Sequence, residues 1–209
     1  MEKNKNSESE LPENYELSFY INAANAKFGL LFNLIAVFIY ALVALIAFIP
    51  IFKNDAFDAL KDTLFGLGAF SPLIYALVFV FTMAAYIFLH ELTHGVSYRL
   101  FTKEKLSFGM KWSCFYCGVP NIYVYRKAVI ISAAAPLIIF SILFVPLTIC
   151  LYHINLVLYF ASAFILGIHI GGCSGDIYVI LLLLFKFKNS STLVRDTGPE
   201  QFFYTANDA

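Results

Sequence analysis

Four long apolar runs limit this chain's fold more than any other feature. They cover residues 28–52, 71–101, 128–152 and 156–185. At 1.5 Å per residue, each run is long enough as a helix to cross a hydrocarbon core of about 30 Å. A backbone in lipid must satisfy its own N–H and C=O groups, so such runs fold as helices. The chain is 60% hydrophobic and 13% charged, about half the charged fraction of a soluble domain. The expected fold class is an all-α membrane protein. It would have four transmembrane helices and a short β-prone loop between helices two and three. Three parts follow: an N-terminal tail over 1–27, a transmembrane domain over 28–188, and a C-terminal tail over 189–209.

The connections carry weaker signals. The first 27 residues are polar and mixed in charge, with Glu2, Lys3, Lys5, Glu8, Glu10, Glu13 and Glu16, unlike a secretory signal. Within them Tyr15–Ile21 alternates as a strand would but is too short to decide. Lys53–Phe70 reads as a short amphipathic linker, and Ser71-Pro72 is a good helix start. Thr102–Lys127 is the β-prone loop, with expected short strands at Leu106–Trp112 and Val119–Tyr125 around a turn. The third span contains Pro136 and Pro146, tolerated where neighbours satisfy the freed carbonyl. His153-Ile154-Asn155 is a short link, so spans three and four form a helical hairpin. The C-terminal tail ends in an aromatic cluster and is expected to fold back on the cytosolic face.

Formal net charge is zero, so no bulk electrostatic signal points to nucleic acid. The basic residues are nonetheless segregated. Four spans place Lys3, Lys5, Lys27, Arg99, Lys103, Lys105, Lys111, Arg126, Lys127, Lys186, Lys188 and Arg195 on one side, and Lys53 and Lys61 on the other. Twelve against two, counted from those positions, predicts cytoplasmic termini under the positive-inside rule.

Within the second run stands His90-Glu91-Leu92-Thr93-His94, an H-E-x-x-H pattern. Residues four apart share a helix face, so His90 and His94 can hold one zinc ion. Glu91 lies about 100° round the helix, where it can serve as general base for a metal-activated water. Two packing histidines beside a chance Glu is the bland alternative. It is weakened because an ionisable residue in a membrane helix costs at least ~2.5 kcal/mol.

A catalytic zinc takes three protein ligands and keeps one position open. Glu91 and Asp176 are the acids inside the expected spans, and Asp176 lies about ten residues, some 15 Å, from the cytoplasmic end of the last one. The histidine pair lies at a similar depth, which makes Asp176 the expected third ligand. Gly171, Gly172 and Gly175 would allow close approach or local unwinding beside it. His169 is a rival ligand, but it lies seven residues before Asp176, ~10 Å deeper. It reads more readily as a hydrogen-bonded core histidine. Cys173 reads as a small buried hydrophobe. Cys114 and Cys117 form a C-x-x-C without the second pair that a structural zinc site needs.

The H-E-x-x-H helix, the basic β-prone loop, the Pro-bearing helix and a last helix with Gly172-Cys173-Ser174-Gly175-Asp176 together resemble the small bacterial membrane proteins catalogued as putative zincin peptidases. More distantly, the pattern is similar to site-2 intramembrane metalloproteases. The resemblance implies zinc held by His90, His94 and Asp176, with Glu91 as catalytic base. It also implies a substrate-polarising Asn, for which Asn121 is the candidate, and a bacterial cytoplasmic membrane as the location. Asp176 is followed by Ile177 rather than by the Gly of the usual site-2 motif. The expected function is a zinc-dependent endopeptidase acting on membrane proteins or membrane-associated peptides in the lipid bilayer. The alternative is a non-catalytic zinc-binding scaffold or transporter-associated subunit.

Overall fold

The computed structural model describes residues 6–22, 25–53, 56–66, 68–111 and 114–207. In chain order the elements are β1 (Ser7–Glu8), β2 (Tyr15–Asn22), α1 (Ala26–Lys53), α2 (Ala56–Phe65) and α3 (Ser71–Thr102). They continue with β3 (Ser107–Lys111), β4 (Cys114–Gly118), β5 (Tyr123–Tyr125), α4 (Arg126–Tyr152), α5 (Leu156–Gly172) and α6 (Ser174–Leu181). A π-helical turn over Leu182–Lys186 leads to β6 (Leu193–Asp196) and β7 (Glu200–Ala206). Among the described residues, four stretches are long and apolar enough to cross a membrane: Phe28–Ile49, Ser71–Thr102, Arg126–Tyr152 and Leu156–Lys186.

The all-α expectation is wrong. Five strands form an antiparallel sheet in the order β1-β5-β6-β7-β2, and β3 pairs with β4 in a separate two-stranded ribbon. The strands come from both terminal segments as well as the loop. The expected partner for the first loop strand is also corrected. β3 pairs with β4, which forms where a turn was expected, and β5 joins the large sheet instead.

The chain divides into two compact units. The first contains residues 1–32, 89–136 and 174–209. Its sheet lines up apolar residues on one inward face: Val194 pairs with both Val124 and Phe203, and Phe203 pairs with Phe19. Val124, Val194 and Phe203 are wholly buried with Ile21, Tyr98, Val129, Val179 and Leu183. Fully burying one such side chain contributes about 1.5–3 kcal/mol, so this small face outweighs the weak propensity of each short strand. The sheet thus backs the end of α3, the start of α4, and α6. Arg126 Nε donates to the Leu183 carbonyl at 2.7 Å, satisfying an acceptor in the π-helical turn.

The second unit contains residues 33–88 and 137–173. Gly171 lets α5 approach α1 closely: a Cβ there would come within 2.8 Å of the Ala36 carbonyl oxygen. Asn155 caps α5, its Oδ1 accepting the Leu158 N–H at 3.0 Å. Tyr86, Phe140, Phe144 and Ile165 make its main apolar cluster.

The β6–β7 hairpin turns at Gly198, whose φ of +99° lies in the left-handed region. A Cβ on Gly198 would come within 3 Å of three Tyr116 ring atoms. Gly198→Ala is expected to destabilise this unit by about 2–4 kcal/mol, combining backbone strain with overpacking. Denaturant titration in detergent micelles checks it, and an unchanged midpoint would contradict the packing described.

Candidate metal centre

One stripe of α3 and the first turn of α6 build the centre, both within the first unit. His90 and His94 sit four apart on α3 and are buried, with 9% and 8% of their surface exposed. Their ring centroids lie 5.0 Å apart. The helix breaks at Cys173 and restarts at Ser174, which puts Asp176 in the first turn of α6. A carboxylate is favoured there by the helix dipole. Asp176 Oδ2 lies 3.6 Å from His90 Nε2, and Oδ1 lies 3.4 Å from His94 Nε2. Among the described residues, these imidazoles are its ion-pair partners.

Those distances allow a test of fit. An ion at about 2.0–2.1 Å from each donor in tetrahedral geometry places neighbouring donors about 3.3–3.4 Å apart. The carboxylate therefore stands close to where a zinc ligand set requires it, and the ligand atoms all lie within 4.8 Å of one another. His94 Nδ1 makes a 2.8 Å hydrogen bond with the Ser132 carbonyl. The carbonyl can only accept, so Nδ1 carries a proton and Nε2 is the atom that faces Asp176. The donors present fit zinc.

Glu91 is half-buried beside the pair. The backbone N–H of Cys117 on β4 points at its carboxylate. Two residues on, Val119 N–H donates to the Asp196 carbonyl at 2.8 Å. Alternate N–H groups of a strand share an edge, so this edge of β4 faces α3 and the sheet. The ribbon is seated by Gly95, directly after His94. A Cβ on Gly95 would come within 3.0 Å of Leu106, Phe108 and Cys117.

Asn121 is exposed in the turn between β4 and β5, and no described contact brings it to the cluster. His169 and Cys173 belong to the second unit. His169 is wholly buried, with Nδ1 3.0 Å from the Tyr86 hydroxyl, Nε2 3.1 Å from the Ser141 hydroxyl, and Cys173 Sγ at 3.8 Å. Both ring nitrogens face hydroxyls, as a core histidine requires. Burial, with the charges of Glu91 and Asp196 adding to it, pushes the Cys117 thiol up to about 12. It is therefore a neutral thiol at neutral pH. The Cys114 side chain lies outside the described residues.

Residues 83–191 match the family described as "Putative zincin peptidase". The chain belongs to that family. Membership implies a zinc-dependent peptidase, in agreement with the donor set of the centre. The match begins inside α3 and ends before β6, so it takes in all three candidate ligands and Glu91. No curated protein and no solved structure matches the chain.

Sequence reasoning missed Asp196, which lies beyond the matched segment of this zincin. It is 3% exposed on β6. Its Oδ2 accepts the Tyr98 hydroxyl at 2.7 Å and the Gln201 amide at 3.3 Å, while Oδ1 accepts the Gly198 N–H at 2.8 Å. Tyr98 is one helical turn past His94, so this bond ties the histidine-bearing face of α3 to the sheet. In sequence, an acid in a polar tail carries no such signal. Burial raises the Asp196 carboxyl to about 6, against the opposing pull of its hydrogen bonds. The unfolded chain titrates near 3.9, so between the two values the native state binds more protons. The contribution of this group to stability is then greatest below about pH 4 and falls by about 3 kcal/mol as pH rises through 6. Unfolding measured from pH 4 to 7 checks this, and Asp196→Asn is expected to remove that component of the slope.

Proposed function

We propose that this zincin is an intramembrane endopeptidase that hydrolyses peptide bonds of membrane proteins or membrane-associated peptides. The observation that carries the reading is the approach of Asp176 to both histidines at 3.4 and 3.6 Å, next to Glu91. Three of the four residues lie in a span apolar enough to cross a membrane and Asp176 in another. A water-excluding surround of this kind strengthens every electrostatic interaction at a reacting centre.

Zinc bound there would supply a Lewis acid for the scissile carbonyl and lower the pKa of a water to about 7. His90, His94 and Asp176 would hold the ion and leave one position open. Glu91 would take a proton as the water oxygen bonds to the carbonyl carbon. The same carboxyl would then give that proton to the amine nitrogen as the C–N bond breaks. The Cys117 N–H would hold the Glu91 carboxylate in place between the two transfers.

A peptide bond inside a helix is shielded, so the substrate must be extended. Among the described residues, β3 pairs only with β4, so its outer edge is open to an added strand. Phe108 of that strand packs against Gly95, which places the edge beside the histidine-bearing turn. Asn121 remains the candidate for polarising the substrate carbonyl. The segregation of twelve basic residues to one side, set out above from the sequence, supports cytoplasmic termini.

Glu91→Gln is expected to keep stoichiometric zinc and to lower cleavage of a membrane-protein panel by about 10²–10⁴-fold. Asp176→Ala is expected to lose zinc as well as activity. Metal analysis beside cleavage assays separates the two effects. Equal cleavage by wild type and Glu91→Gln would discard the peptidase mechanism and leave a zinc-binding scaffold.

A further inference from the structure

Ser132 and Pro136 stand four apart on α4, which runs unbroken from Arg126 to Tyr152. In an α-helix the carbonyl of one residue accepts the N–H of the fourth residue after it. The helical partner of the Ser132 carbonyl would therefore be residue 136. Proline has no N–H to give, and its ring crowds the carbonyl four residues back. Both residues are fully buried, so no solvent can take the place of the missing donor. An orphan buried carbonyl is costly. Here the acceptor is taken up instead by His94 Nδ1, at 2.8 Å.

We propose that Pro136 is a positioning residue of the metal centre: by withholding an N–H from Ser132, it reserves that carbonyl for His94. The hydrogen bond then fixes the His94 tautomer and ring angle, leaving Nε2 directed at Asp176 3.4 Å away. An alanine at 136 would complete the helix and bring a backbone donor into competition with the imidazole. Pro136 is thus a local defect in α4 that serves the site on α3. This inference rests on the reading of His94 as a zinc ligand. Pro146 on the same helix supplies the contrast. It is exposed, and its orphan carbonyl belongs to Ile142, which is 71% exposed.

The test uses the full-length protein in detergent micelles. Pro136→Ala is expected to bind zinc about 10–100-fold more weakly in chelator competition, while the metal-free form melts no lower than wild type. Pro146→Ala is expected to bind zinc within about twofold of wild type, because it frees no acceptor near a ligand. Zinc bound as tightly by Pro136→Ala as by wild type would overturn the proposal. A second measurement does not depend on any variant folding. Long-range proton–nitrogen spectra of metal-free wild type, labelled at histidine, should show a proton on His94 Nδ1. They should also show a coupling across the hydrogen bond to the Ser132 carbonyl carbon. A ring with no proton on Nδ1, or no such coupling, would sink the proposal. Absence of zinc uptake by wild type would instead sink the functional reading, and the tautomer would still decide the role of Pro136.

Discussion

A carboxylate held between two imidazoles is the contact on which the site depends. Asp176 sits in an apolar span, where an isolated negative charge would be expelled or neutralised. What stabilises it is the pair of Nε2 atoms at 3.4 and 3.6 Å. That pair exists only because a helix puts residues four apart on one face. Its approach to Asp176 also needs the break at Cys173, which brings the carboxylate into a first helical turn. Without the carboxylate, two buried imidazoles would face apolar surroundings. Without the imidazoles, a charge would stand uncompensated. Each half explains why the other is tolerated in so apolar a stretch.

Around this contact the supporting groups are largely backbone. The Ser132 carbonyl orients His94, and the Cys117 N–H meets Glu91. Backbone dipoles on a helix and a strand are stiff, so the first ligands inherit the rigidity of α4 and β4. Side chains would hold the same atoms less firmly, since each brings rotamer freedom that must be lost on ordering. A centre of this kind is preorganised in its metal-free form, which suits a reaction whose catalytic advantage is electrostatic.

The dependence on backbone groups also explains which parts were legible in the sequence. The helices were, because apolar runs long enough to cross a bilayer leave a chain in lipid no other structure. His90, Glu91 and His94 were legible because their spacing is local and helical. Asp176 could be placed because depth along a span follows from residue count. The large sheet was not legible. β2 and β7 pair across nearly the whole chain, Tyr15 with Ala206 and Asn22 with Glu200, and each alone is a short half-polar segment in a tail. Period-two alternation at Tyr15–Ile21 was the one trace, and it gains meaning only when a partner is known. The role of β4 escaped for a related reason: Cys117 and Val119 act through N–H groups, which every residue but proline carries.

Asp196 shows what the terminal strands add to the segment shared with the family. The candidate ligands, Glu91 and the Ser132 carbonyl all fall within residues 83–191, whereas β2, β6 and β7 fall outside it. Those strands contribute no candidate ligand. They contribute a backing that fixes α3 against rotation, since Tyr98 shares the face of His90 and His94 and is anchored at 2.7 Å by Asp196. A helix in lipid has little resistance to turning about its own axis when apolar side chains cover all its faces, because lipid and Leu are nearly interchangeable surroundings. A rotation of one residue, about 100°, would carry both imidazoles away from Asp176. One buried polar bond near the end of this apolar stretch supplies the directional restraint that the apolar contacts along it cannot.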